Sequence, residues 1–200
     1  MRVRARLRVT SRHFALLPNR VGNMRYYPYG PFELTRSDDN FLFLEDRERA
    51  VFWSEVDEEI PGLSQACGCY VFALGSGPVP VPWYVGKAER QSFRQECLTD
   101  DKVSKFNSVL EGRRRGRPYL YLYARTTSGA RAFSRPARGR RTDVGYLERM
   151  LITFALDRNK YLLNKQETAM LRNIVVPGLM NSPAGQISAA AKELQSVLGY

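Results

Sequence analysis

Gly68-Cys69-Tyr70-Val71-Phe72-Ala73-Leu74, a connection rich in glycine and proline, then Trp83-Tyr84-Val85-Gly86-Lys87-Ala88 and a polar segment carrying Arg94: this stretch decides the fold. Cys69, Val71 and Ala73 alternate with Tyr70, Phe72 and Leu74, and both runs are rich in aromatic and β-branched residues, the composition of strands. Gly75, Gly77, Pro78, Pro80 and Pro82 break the pattern between the runs, which predicts a β-hairpin. Each strand presents a tyrosine beside a glycine.

Working outward, Glu89 to Leu98 reads as a helix with Phe93 and Cys97 one turn apart, and Lys102 to Leu110 as a second with Val103, Phe106 and Leu110 on one stripe. Tyr119-Leu120-Tyr121-Leu122-Tyr123 alternates and predicts a third strand. Thr126 to Arg141 is polar and studded with arginine, the pattern of a loop. Asp143 is placed as the N-cap of a long helix ending near Asp157. Leu162-Leu163-Asn164 closes the core, and the tail holds a helix over Ile187 to Leu198, capped by Ser188 or a neighbour. Upstream, Phe41 to Ile60 reads as an acidic helix with Val51, Phe52, Val56 and Ile60 inward, ended by Pro61-Gly62. Tyr26 to Pro31 reads as turns, and Arg2 to Val9 alternates arginine with apolar residues as a strand with one arginine face, on which the acidic segment could pack.

The expected fold class is therefore α+β, a small central antiparallel three-stranded sheet flanked by helices. The expected divisions are an N-terminal extension over 1–60, a principal domain over 61–169 and a helical tail over 170–200 that packs on the core.

Composition narrows the function. The chain carries a net charge of +11 in blocks: seven arginines and no acid over 1–32, ten acids against three arginines over 33–59, and ten arginines against Glu111 over 111–141. Arginine suits bidentate phosphate contacts, and clusters of it point to nucleic acid. No apolar run approaches the ~20 residues that span a bilayer, and no apolar segment follows the N-terminal arginines as in a signal peptide. Cys67, Cys69 and Cys97, with His13 the sole histidine, form neither a disulfide framework nor zinc-ligand spacing. The expectation is a reduced, cytoplasmic monomer.

Glu148 is the residue that does not fit a plain core. It lies four residues after Val144 and three before Leu151, on the stripe of Val144, Leu147, Leu151, Phe154 and Ala155. A carboxylate there must be satisfied by a cation, a metal or hydrogen bonds, and a salt bridge to an arginine at the rim is the plain alternative. Arg94 alone is a surface arginine, Tyr70 and Tyr84 alone are strand aromatics, and Asn164 alone says little.

Together and in this order, Gly68-Cys69-Tyr70, Tyr84-Val85-Gly86, Arg94 ten residues after the second tyrosine, Glu148 on a later helix and Asn164 sixteen residues beyond it resemble the GIY-YIG nuclease family. The resemblance covers roughly residues 66–166, and the order of predicted elements resembles that fold. Cys69 and Val85 stand where the motif has isoleucine. Many members carry histidine or tyrosine after the first helix; here Lys102 to Ser108 offers Lys105 and Asn107, so Lys87 or Lys105 is the candidate to take that part, as in some restriction-enzyme relatives.

The resemblance implies a metal-dependent endonuclease that hydrolyses phosphodiester bonds in nucleic acid, DNA rather than RNA. It implies Glu148 as the ligand of a single Mg²⁺ or Mn²⁺, Tyr70 orienting or deprotonating the attacking water, Arg94 stabilising charge on the phosphate, Tyr84 lining the site and Asn164 fixing its geometry. Arg113, Arg114, Arg115, Arg117, Arg131, Arg135, Arg138, Arg140 and Arg141 would grip flanking phosphates. The alternatives are a nucleic-acid-binding protein that kept the fold and lost catalysis, and a basic structural or partner-binding protein.

Overall fold

The structure, a computed structural model, describes residues 24–198 except 43–44, 76, 114, 128–131, 140, 165–167, 178–184 and 186. The expected strand over Arg2 to Val9, His13, and the candidate phosphate contacts Arg114, Arg131 and Arg140 lie outside the described residues.

The hairpin forms as its alternation predicts. Strand β2 (Gly68–Gly75) pairs antiparallel with β3 (Val81–Ala88), with Tyr70 opposite Gly86 and Cys69 opposite Lys87. Strand β4 (Arg117–Thr126) pairs with the other edge of β2 and buries Leu120, Leu122 and Ala124. The sheet has four strands rather than three, in the order β1-β4-β2-β3. The additional strand, β1 (Arg25–Glu33), covers the residues read as turns. Pro28 and Pro31 gave the turn signal, but β1 is an edge strand, where a missing N–H can face away from the ladder. A register shift between Tyr29 and Phe32 takes up the irregularity. Tyr26, Tyr27, Tyr29 and Phe32 supply the strand propensity that prevailed.

Helix α1 (Asp46–Glu59) buries Trp53 and Val56, while Val51, expected inward, is exposed. The inward face is one position round from the predicted stripe, because Trp53 offers more apolar area than Val51. Residues 25–59 thus supply an edge strand and a core helix to the main sheet. Helix α2 is a single turn (Phe93–Glu96), shorter than predicted, because Ser92 and Gln95 form a capping box that starts it late. Helix α3 (Asp100–Leu110) buries Val103, Phe106, Val109 and Leu110, and Phe106 stacks on Phe72 with ring centroids 3.9 Å apart.

Helix α4 (Thr142–Arg158) covers the other face of β2 and β3. Its N-cap is Arg141, not Asp143. The Asp143 carboxylate instead accepts hydrogen bonds from Arg125 Nε (2.6 Å) and Tyr26 OH (2.8 Å), partners that outweigh a backbone cap. The inward stripe runs through Val144, Glu148, Ile152 and Ala155, and Phe154, expected inward, is exposed. Helix α5 (Thr168–Asn173) packs on α4. Helix α6 (Ala189–Leu198) begins where Ser188 Oγ accepts the Ala191 N–H, and none of its described residues is fully buried.

Candidate functional site

Two of the separated motif residues converge on one stretch of β3. The Glu148 carboxylate meets Lys87 Nζ at 2.6 Å, one residue beyond Gly86. Asn164 grips the backbone of Val85 with both ends of its amide: Oδ1 accepts the Val85 N–H (2.9 Å), and Nδ2 donates to the Val85 carbonyl (2.7 Å). The chain after α4 runs along this outer edge, since Asn159 Nδ2 donates to Pro82 O and the Leu163 N–H to Trp83 O, both at 2.8 Å. These contacts satisfy outward backbone groups of the edge strand at Pro82, Trp83 and Val85. Asn159 escaped the sequence reading; its signal was a second asparagine following the same helix.

Among the described residues, the cation 2.6 Å from Glu148 is a lysine two residues along from Val85. With 13% of its side chain exposed, Glu148 is mostly sheltered and Lys87 supplies the compensation that position requires. Cys69, opposite Lys87, faces the same helix, its Sγ 3.4 Å from Val144 O. Burial first, and then the Glu148 charge, hold the Cys69 thiol far above its usual range.

The two tyrosines lie on the opposite face. Strand alternation turns Tyr70, Phe72 and Tyr84 toward α2 and α3, where Tyr84 packs 6.1 Å from Phe106 and 6.1 Å from Tyr70. Tyr70 is fully buried, and among the described residues its hydroxyl has no hydrogen-bond partner. Burial pushes that phenol far above its usual value, and the ring packs between β3 and the helices. Its ring lies across Gly86: a Cβ there would come 2.3 Å from Tyr70 Cζ. At Gly68 a Cβ would come 2.0 Å from the Tyr123 carbonyl oxygen. Both glycines of the two tripeptides are therefore required by close approach, independent of any chemistry.

Tyr84 is half-exposed, and Lys102 Nζ and Lys105 Nζ lie 5.7 and 5.8 Å from its ring centroid. Lys102 also lies 3.5 Å from Glu96, whose carboxyl is raised by burial. Burial alone would lower the Lys102 ammonium, but Tyr84 and Glu96 reverse it and hold it above its usual value. Lys102 and Glu96 were absent from the predicted site, though Lys102 and Lys105 one turn apart on α3 were a legible signal. Asn107 is occupied elsewhere, bridging the N–H and carbonyl of Leu42.

Arg94 is exposed on α2 and makes no hydrogen bond or ion pair with Tyr70, Tyr84 or Glu148 among the described residues. Of the candidate phosphate contacts, Arg113, Arg115, Arg117, Arg135 and Arg138 are exposed. Arg117 lies 3.7 Å from Glu33 at the surface. The Arg113 guanidinium sits 4.6 Å over the Trp83 ring, and the Arg141 N–H donates to the Glu89 carboxylate.

Among the described residues, no three His, Cys, Asp or Glu side chains gather as a metal site. One sheltered carboxylate still suits a hard divalent ion that takes a single protein ligand and fills its shell with water and phosphate oxygens. Such an ion would compete with the Lys87 ammonium for the same carboxylate. No family model, no curated protein and no solved structure matches the chain. Among the described residues no helix is long and apolar enough to cross a membrane.

Proposed function

We propose that the protein is a metal-dependent endonuclease that hydrolyses phosphodiester bonds in nucleic acid, DNA rather than RNA, acting as a monomer. The observation that carries this reading is the convergence of Glu148 and Asn164, 61 and 79 residues from their partners Lys87 and Val85, on residues 85–87 of the strand that holds Tyr84 and Gly86. Packing alone would have been served by an apolar residue at position 148, with no charge to compensate.

Glu148 would hold Mg²⁺ or Mn²⁺, which when bound supplies charge neutralisation at the scissile phosphate. Lys87 sits beside that carboxylate and offers a cation to the same phosphate. Tyr84, not Tyr70, is the tyrosine a substrate can touch, and Asn164 acts as a positioning residue by fixing Val85. Arg94 and the exposed arginines after β3 supply phosphate contacts without reading sequence.

The test is a nicking assay on supercoiled plasmid with Mg²⁺, with Mn²⁺ and with chelator, alongside Glu148→Ala. The expected result is metal-dependent nicking that the variant loses while its DNA affinity stays intact. Cleavage by Glu148→Ala would falsify the assignment. One observation favours a second reading, a binding protein without catalysis: the Lys87 ammonium already neutralises Glu148 and the Tyr70 phenol is sealed. Salt-dependent binding with no metal-dependent cleavage would establish that reading instead.

A further inference from the structure

The sheet face that carries Lys87 and Glu148 is covered unevenly among the described residues. Helix α4 packs on β3 and β2, and its first turn is tied to Arg125 and Tyr26 at one end of β4 and β1. Toward the other end of β4, pairing sets Tyr119 beside Ala73 and Tyr121 beside Val71 on this same face. Both tyrosines are half-exposed, while Leu120 and Leu122 between and beyond them are buried on the opposite side. The two rings line an open groove of about 550 Å³ with Arg115, Arg117, Pro31 and Pro78. A Cβ at Gly75 would come 2.7 Å from Tyr119 Cε2, so this glycine lets the ring lie against the β2 backbone.

We propose that this groove is a stacking platform for a single-stranded segment of nucleic acid. The inference rests on the nuclease reading above for the identity of the protein's partner and specifies which form of it is bound. Tyr119 and Tyr121 stand two residues apart on one face, roughly 7 Å, so each can take a separate base. Aromatic side chains displayed on a sheet stack successive bases with little regard to sequence, because every base has a π-face. A duplex hides those faces, so the groove selects unpaired strands. Arg115 and Arg117 at the rim supply the charge that a phosphate backbone requires, and among the described residues the groove lining contains no acid, Glu33 lying outside it beside Arg117. A proline-rich peptide also docks on aromatic grooves, but it gives two arginines nothing to neutralise. The groove shares its face with Lys87, so a strand stacked there approaches the side of the sheet that holds Glu148.

The test is fluorescence anisotropy with labelled oligo(dT) of about 16 nucleotides, the upper end of usual single-strand sites, in chelator so that no cutting occurs. Tyr119→Ala and Tyr121→Ala should each weaken binding about tenfold, the stacking energy of one base expressed as a ratio. Tyr119→Phe and Tyr121→Phe should bind as the parent does. Ala variants that fold, by circular dichroism, and bind oligo(dT) like the parent overturn the proposal. So does a proline-rich peptide that loses affinity in both Ala variants while oligo(dT) loses it in neither. Should an Ala variant not fold, photo-crosslinking of iodouracil-substituted oligonucleotide to the full chain decides. Adducts on Tyr119 or Tyr121 support the platform, and adducts elsewhere alone overturn it. Because these measurements need no cleavage, tyrosine-dependent binding without nicking would refute the nuclease and leave the platform standing. Nicking with no tyrosine-dependent binding would do the reverse.

Discussion

Gly86→Ala tests whether the second tripeptide is built for packing. The new Cβ would lie 2.3 Å from Tyr70 Cζ, 2.5 Å from its hydroxyl and 2.8 Å from Cε1. Carbon atoms rest at about 3.5 Å or more, so the overlap exceeds roughly 1 Å at one atom. Tyr70 has no surface to swing toward, being fully buried between β3 and the helices. Overpacking of this kind costs about 1–3 kcal/mol, and a sealed ring places it near the upper end, about 3 kcal/mol. With a urea m-value of about 2 kcal/mol/M, the unfolding midpoint should fall by about 1.5 M. Tryptophan fluorescence reports the transition, since Trp53 is in the core. The sharper measurement is a double-mutant cycle. Tyr70→Ala alone should cost about 3–5 kcal/mol through the lost ring, but it also removes the clash, so the double variant should cost about 3 kcal/mol less than the sum of the singles. Strict additivity, or a cost below about 1 kcal/mol for Gly86→Ala, would refute the argument that the tyrosine ring requires the glycine.

Asn164→Leu should destabilise by about 2–3 kcal/mol, because it strands the Val85 N–H and carbonyl at the sheet edge; hydrogen exchange at Val85 checks it, with unchanged protection as the refuting result. Asp143 has a carboxyl held below the usual range: burial opposes this, but hydrogen bonds from Arg125 and Tyr26 prevail. Its folded pKa is therefore below the unfolded one, so its stabilisation is complete above the unfolded value of about 3.9 and fades as pH falls through the folded value. Asp143→Asn should flatten the acid side of a plot of urea midpoint against pH, and an unchanged slope there would count against it. Lys87→Ala should tighten Mn²⁺ binding by removing the competing ammonium from Glu148, as read by the free-Mn²⁺ signal in electron paramagnetic resonance; equal binding by parent and variant would show that the pair does not compete with the ion.

The hairpin, β4, α3 and α4 were legible because each has a long run of one period: alternation over Cys69–Leu74 and Tyr119–Tyr123, and a helical stripe through Val103 and Phe106. Strand β1 was hidden because Pro28 and Pro31 carry the turn signal, and only the edge position revealed by pairing makes them tolerable. The Asp143 cap was misread because capping is a local rule, while the competing partner Arg125 sits eighteen residues away across the loop. The inward orientation of Glu148 was legible from spacing alone; the identity of its cation was not, since Lys87 lies 61 residues earlier and only the register of β2 on β3 aims it at α4.

The same register separates what the motif order had joined. Adjacent residues on a strand face opposite ways, so Tyr84 and Gly86 belong to the α2–α3 side while Lys87 meets Glu148 on the α4 side. A phosphate that touches both Tyr84 and the Glu148 carboxylate must therefore cross the outer edge of β3, where both faces meet. That edge is closed at Pro82, Trp83 and Val85 by Asn159, Leu163 and Asn164. The crossing is thus pushed beyond Val85 and past Gly86, which is buried under the Tyr70 ring, to the half-exposed Lys87. On the proposed nuclease reading, Asn164 then has a double consequence: holding Val85 fixes the strand, and filling the edge there would limit where a substrate can cross. An Asn164→Ala variant that loses nicking more than it loses stability would separate these two effects, because edge stability alone predicts parallel losses.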